Sequence, residues 1–259
     1  FNLKKRDKIL DIACNDGTFL ENFVKKKFTN VVGVEPALNL KKINIKKKIK
    51  INSFFFGYKK SFILKKKYKS IKLITANNVC AHVPNLKDFF KGIKNILSKD
   101  GCMIFEVSYL YDVIKKLSFD TIYHEHMSYH SVKPLVSFFH GLNLELIDCE
   151  KVKAQGGSIR VYISHRNSFK IKKKKILSLI KNEEKLGLFN TAIYKKYCSR
   201  INYQKNKLNK VLNEFKEKNL KIYGFGAPAK LTTFSYVLEL KKKLFEAIVD
   251  DNELKQNLY

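Results

Sequence analysis

Four consecutive residues, Tyr123-His124-Glu125-His126, form the densest set of proton-transfer groups in the chain. An imidazole titrates near neutral pH, so a histidine can remove a proton from a bound molecule at working pH. A neighbouring carboxylate such as Glu125 can orient it. The Tyr123 hydroxyl can donate a hydrogen bond to a developing oxyanion. Another histidine, His82, ends the stretch Asn77-Asn-Val-Cys-Ala-His82, so three of the six histidines are expected to converge on one cleft. Three plainer readings stand beside this. His82 alone can be a helix-capping or core histidine. His-x-His can be a metal pair, although no third ligand has convincing spacing, or the cluster can be an ordinary surface loop. His130, His140 and His165 read as structural.

Two turns carry a second kind of chemistry. Asp11-Ile-Ala13-Cys-Asn15-Asp-Gly17-Thr follows an apolar run and opens a helical stretch. Such a turn lets a ligand approach backbone amides near a helix N-terminus. The dinucleotide fingerprint wants glycine at 13, 15 and 18, where this chain has Ala13, Asn15 and Thr18, which counts against NAD. Glu35, at the end of the next apolar run, can accept from both hydroxyls of a ribose. Loop and acid together favour S-adenosylmethionine (SAM). Helix capping and turn chemistry are the alternative for Asp11 and Asp16, and a solvated strand end for Glu35. Further on, the small residues of Gly224-Phe-Gly226-Ala-Pro-Ala-Lys230 suit a diphosphate held by amides and a lysine. They equally suit a tight turn with Pro228 at a helix start.

The elements that must position these groups follow from periodicity. Lys8–Ala13, Asn30–Glu35, Ile49–Phe56, Ile71–Ala76 and Cys102–Val107 read as buried strands. Helices are expected from Gly17 to about Lys26, in the Lys-rich stretch after Glu35, and over Asn85–Leu97, with Ser98-Lys99-Asp100-Gly101 as a stop signal. This alternation predicts parallel strands with right-handed crossovers, a doubly wound α/β sheet. After a weakly periodic stretch, Tyr109–His130, come a helix (Val132–His140) and two strands (Leu144–Cys149, Ser158–Ser164) that read as an antiparallel end of the same sheet. The expected organisation is a nucleotide-binding domain over 1–166, a polar helical connector over 167–218, and a second, incomplete α/β unit over 219–259.

The 259 residues suffice for one large core, or a medium core and a smaller one. Apolar runs are too short to cross a bilayer and the start carries no signal-peptide pattern, so a cytoplasmic protein without membrane attachment is expected. The five cysteines are scattered, which argues against a disulfide framework or a structural zinc site in this stretch. The net charge of +29 invites nucleic acid, but only four of 52 basic residues are arginine, and the lysines lie in dispersed blocks. These read as solvated faces, so no nucleic-acid partner is expected, although an anionic small substrate would still feel the field. Phe1 at the start, and Leu258-Tyr259 ending in mid-pattern, suggest a piece of a longer protein.

The segments DIACNDGTFL, GVEPALNL, ANNVCAHVPNLKDFFKGIKNILSKDG, FEVSYLYDVIKKLSFDTIYHEHMSYHS, GGSIRVYISH, YGFGAPAKLTTF and VDDNELKQNLY together resemble the SAM-dependent sugar C-methyltransferases. These act on nucleotide-linked keto-deoxysugars. The resemblance runs over nearly the whole chain in order. It implies a Rossmann-like class I methyltransferase sheet, followed by most of a C-terminal α/β domain that helps to hold the sugar nucleotide. Zinc would belong only to an N-terminal domain upstream of Phe1, with no metal in this stretch. The resemblance implies that His126 is the base, with Tyr123 and Glu125 beside it and His82 across the cleft. It places Asp11, Gly17, Glu35 and Asn78 around SAM; Ala13 stands where the family usually has glycine. The rival functions are methyl transfer to oxygen or nitrogen of another acceptor, a basic RNA-binding protein, and a catalytically silent nucleotide-binding module.

Overall fold

A computed structural model describes residues 2–255. Among the described residues, the main sheet has seven strands in the order β3-β2-β1-β4-β5-β7-β6. The first five strands, β1 (Lys8–Ile12), β2 (Asn30–Val34), β3 (Lys50–Asn52), β4 (Ile71–Asn77) and β5 (Leu97–Ser108), pair in parallel. Helices α1 (Thr18–Lys25), α2 (Lys41–Lys46), α3 (Tyr58–Tyr68) and α4 (Leu86–Ile96) connect them. Both faces of a parallel sheet are covered, so its strands are continuously apolar. Ile9, Leu10 and Ile12 of β1 and Ile71, Leu73 and Ile74 of β4 are accordingly buried. On α4, Phe89, Phe90, Ile93 and Ile96 are buried at helical spacing, and Asn85 caps the helix by accepting from the Asp88 amide at 2.9 Å.

After α5 (Leu110–Lys116) and α6 (Val132–Gly141) come β6 (Leu144–Val152) and β7 (Ser158–His165), which pair antiparallel and complete the sheet against β5. Phe90 packs its ring against Phe89, Phe105, Phe138 and Phe139, with centroids 4.9–5.7 Å apart. Helices α7 (Lys173–Leu186) and α8 (Thr191–Glu217) follow. A short parallel pair, β8 (Tyr223–Phe225) and β9 (Ala247–Val249), then flanks α9 (Leu231–Val237).

The chain forms two compact units, Phe1–Leu110 with Met127–Lys185, and Tyr111–His126 with Leu186–Tyr259. These boundaries differ from the expected 1–166, 167–218 and 219–259. Helix α7 buries Ile176 and Glu183 within the first unit instead of bridging through solvent. Helix α8 belongs to the second unit, as does the Tyr111–His126 excursion.

Several elements depart from expectation. The stretch Ser98–Gly101 is part of β5, not a break before it; a register irregularity between Ile71 and Leu73 absorbs it, and Lys72 pairs with Asp100 at 2.6 Å. Strand β3 stops at Asn52 because its partner β2 ends at Val34. Helices α3 and α5 were not anticipated; α3 buries only Ser61, Leu64 and Tyr68 in a run of lysines. Phe1 and the terminal Gln256-Asn257-Leu258-Tyr259, on which the reading of a longer protein leaned, lie outside the described residues.

Candidate active site

The β1–α1 turn lies where the strand order reverses between β1 and β4, the place where a doubly wound sheet opens a crevice. Its backbone is wound tightly: Ala13 (φ 55°), Asn15 (φ 51°) and Gly17 (φ 78°) are all left-handed. Glu35 holds this turn. It is only 8% exposed, and its two oxygens accept from the Asn15 amide (3.0 Å) and the Ala37 amide (2.9 Å). Asn44, fully buried on α2, donates to the carbonyls of Asn15 (2.7 Å) and Leu40 (3.0 Å). A side chain at Gly17 would strike Asn44 and Ile49, and one at Gly33 would strike the Cys14 sulfur. Asp16 performs turn chemistry: it accepts from the Thr18 amide and hydroxyl and pairs with Lys47. The Thr18 bonds hold its carboxyl down at about 2.

Asp11 and Thr75 are register partners on β1 and β4, and the Thr75 hydroxyl donates to Asp11 at 2.6 Å. Burial pushes the Asp11 carboxyl up to about 7 against that hydrogen bond, with the Glu35 charge adding to the rise. Asn78, exposed and left-handed at φ 56°, sits just past β4 and donates its amide to the Glu106 carbonyl. His82 is half-buried at the end of a one-turn 3-10 helix, Cys80–His82.

These residues suit an adenosyl group. Each carboxylate oxygen has two acceptor sites, so Glu35 can hold the turn and still accept from ribose hydroxyls. The left-handed turn keeps side chains off the backbone that a ligand would approach. The buried Asn44 and the close-packed Gly17 and Gly33 keep the turn in that shape. Asn44 and Thr75 were not anticipated as part of it. Asn44 lies among lysines, and nothing in its spacing distinguishes it from a solvated residue.

In the second unit, Tyr123, Glu125 and His126 come together in a turn that the His126 amide closes on the Tyr123 carbonyl (3.0 Å). The rings of Tyr123 and His126 lie 4.7 Å apart. His126 Nδ1 is 2.8 Å from the Thr121 carbonyl. A carbonyl only accepts, so in the neutral ring Nδ1 carries the hydrogen and Nε2 the basic lone pair. The orienting partner of Nδ1 is therefore a backbone carbonyl. The Glu125 carboxylate instead accepts from the Tyr123 hydroxyl at 3.1 Å. His124 and Glu125 are exposed, and Tyr123 and His126 are half-buried. His82 lies in the first unit, whereas His124 and His126 lie in the second.

The same unit holds the Gly224–Lys230 turn. Gly226 is left-handed (φ 86°), and the Ala227 amide donates to Asp250 at 2.7 Å. Lys230 pairs with Asp120 at 2.7 Å, and Phe234 stacks on Phe119 with centroids 5.6 Å apart. His130, read as structural, is buried in the first unit with Nε2 3.1 Å from the Ser128 hydroxyl, and burial pulls it down to about 4.

Comparison with known proteins gives a family match for each part of the chain. Residues 1–148 match a methyltransferase domain, and residues 153–259 match a domain described as the C-methyltransferase C-terminal domain. The C-methyltransferase NovU of Streptomyces niveus is 24% identical over 250 residues, which is 96% of this chain and 59% of that protein. The chain thus spans less than two thirds of that relative's length. Among solved structures, PH0226 of Pyrococcus horikoshii OT3 has a TM-score of 0.49 at 18% identity, covering 64% of this chain and 84% of that one. A Haloferax volcanii complex of the Trm112 methyltransferase activator with a methyltransferase gives 0.50 at 10% identity, covering 64% and 85%, a likeness of fold alone. With more than half of its length matched by the methyltransferase domain, and most of the rest similar to the C-methyltransferase C-terminal domain, the chain belongs to the class I SAM-dependent methyltransferases.

Proposed function

We propose that this protein methylates the carbon next to the ketone of a nucleotide-linked keto-deoxysugar, with His126 as the base. The observation that carries the reading is the Nδ1 hydrogen bond of His126 to the Thr121 carbonyl, which leaves Nε2 as the proton acceptor. A carbon beside a ketone is acidic because its anion delocalises onto oxygen. Nε2 takes the C–H proton, and the electron pair of that bond passes into the enolate. The Tyr123 hydroxyl gives up its bond to Glu125 and donates to the enolate oxygen instead, or His82 takes that role. When bound, SAM supplies a methyl group on a sulfonium, an electrophile whose leaving group is a neutral thioether. The carbanion pair would form the new C–C bond as the methyl–sulfur bond breaks with its pair left on the thioether, and His126 then releases its proton to solvent. Positioning of the two reactants is the main contribution asked of the protein.

In this reading Asp11, Ala13, Asn15, Gly17, Glu35 and Asn78 hold SAM. Gly224, Gly226 and Lys230 hold the diphosphate, for which Lys230 exchanges its Asp120 partner. Both reactants are cytoplasmic metabolites, and the reading includes that location. Among the described residues no helix is long and apolar enough to cross a membrane.

The test is exchange of the acceptor's carbon-bound hydrogen in deuterated water without SAM, using nucleoside-diphosphate 4-keto-6-deoxyhexoses. The parent chain should exchange it. His126→Asn should lose at least about 100-fold, the lower range of general base catalysis, with SAM affinity unchanged by calorimetry. Methyl transfer without any such exchange would point to an oxygen or nitrogen acceptor and sink the base assignment.

A further inference from the structure

Glu183, on α7, is fully buried, and both of its oxygens are engaged. Oε1 accepts from the Tyr109 hydroxyl (2.8 Å) and the Val132 amide (2.6 Å), and Oε2 from the Lys133 amide (3.1 Å). A carboxylate leaves water at heavy cost unless charge-assisted hydrogen bonds offset it. The first amides of α6 provide that compensation, and a helix N-terminus favours negative charge.

The donors are far apart in sequence, and their places are informative. Tyr109 directly follows β5, where the chain is about to leave the first unit. Val132 and Lys133 open α6, shortly after it has returned. Between them runs Tyr111–His126, the excursion that carries Tyr123, Glu125 and His126. The backbone supports the same closure: Tyr109 and His130 form a β-bridge, Leu110 donates to the His130 carbonyl at 2.9 Å, and Met127 donates to the Ala81 carbonyl at 2.8 Å. Glu183 bonds to both the way out and the way back.

We infer that Glu183 is a positioning residue for methyl transfer, tying the Tyr109 hydroxyl to the first turn of α6 and so fixing both ends of the segment that bears His126. The inference rests on the reading of His126 as the base. A carboxylate that merely capped α6 would have no need of Tyr109, and this separates the two roles.

Tyr109→Phe, made in the full chain, keeps the cap and removes the tie. Amide hydrogen exchange followed by mass spectrometry should speed up in peptides covering 111–131 by about three- to tenfold, with peptides of β1 through α2 unchanged. With a nucleoside-diphosphate 4-keto-6-deoxyhexose as probe, kcat should fall by a similar factor while SAM affinity stays within about twofold, as expected when only the reacting geometry loosens. Glu183→Gln should cost more, and the double variant no more than Glu183→Gln alone, because the hydroxyl acts through Glu183. If Tyr109→Phe leaves exchange over 111–131 unchanged, the tie does not exist. If exchange rises but kcat holds, the tie does not position the base; either result overturns the inference. His126→Asn in the deuterium assay judges the base assignment separately, and the amide exchange of Tyr109→Phe still decides the tie if that assignment fails.

Discussion

Asp11 and His130 are buried ionisable side chains whose burial tilts the pH dependence of stability in opposite directions. The Asp11 carboxyl rises from 3.8 to about 7, so between those values the native protein keeps a proton that the unfolded chain has lost. Stability then falls as pH rises through that window, by about 4 kcal/mol in all. His130 falls from 6.5 to about 4, so there the unfolded chain takes up a proton that the native protein refuses. Its contribution rises with pH across that interval, by about 3 kcal/mol. Below pH 6.5 the two nearly offset. Asp11→Asn should therefore show a urea midpoint that climbs from pH 4.5 to 6.5, and His130→Gln one that declines over the same range. Equal slopes in both variants would show that the two groups do not titrate as their burial requires. Asp11 and Glu35 stood out in the sequence because Asp11 interrupts one apolar run near its end and Glu35 closes the next. The partners that hold such residues did not, since Thr75 looks like any strand threonine.

At the scale of elements, the turn after β1 depends on a helix that shows little sign of it. Helix α2 is six residues of mostly lysine and isoleucine, yet its Asn44 is fully buried and holds the Asn15 carbonyl. Asn44→Ala leaves that carbonyl without its side-chain partner. It should cost about 2–3 kcal/mol in chemical denaturation and weaken SAM binding about tenfold by calorimetry. A variant that loses stability but binds SAM normally would mean that the turn keeps its shape without Asn44. The core strands were readable because burial on both faces leaves little but apolar residues. Glu183 and Asn44 were not, because a polar residue among lysines reads as solvated until its partners are known. The start of β5 was hidden for a similar reason: Ser98-Lys99-Asp100-Gly101 has turn composition, but Asp100 pairs with Lys72 of the neighbouring β4 and accepts from the Ser98 hydroxyl.

At the scale of the molecule, 52 basic against 23 acidic residues give a field that attracts anions. Raising salt from about 20 to 200 mM shortens the screening length severalfold. It should raise KM for the proposed nucleoside-diphosphate acceptor while leaving SAM, which carries a net positive charge, no more weakly bound. Insensitivity of the acceptor KM would assign its recognition to short-range contacts alone. The chain crosses between its two compact units three times, after Leu110, after His126 and after Lys185. Phe119 and Asp120, which meet Phe234 and Lys230, are therefore encoded far upstream of them. Shuffling the tail of one such gene onto the head of another, with a single joint, would part these partners. Swapping the second unit between relatives calls for a two-piece graft that carries 111–126 along with everything beyond 185.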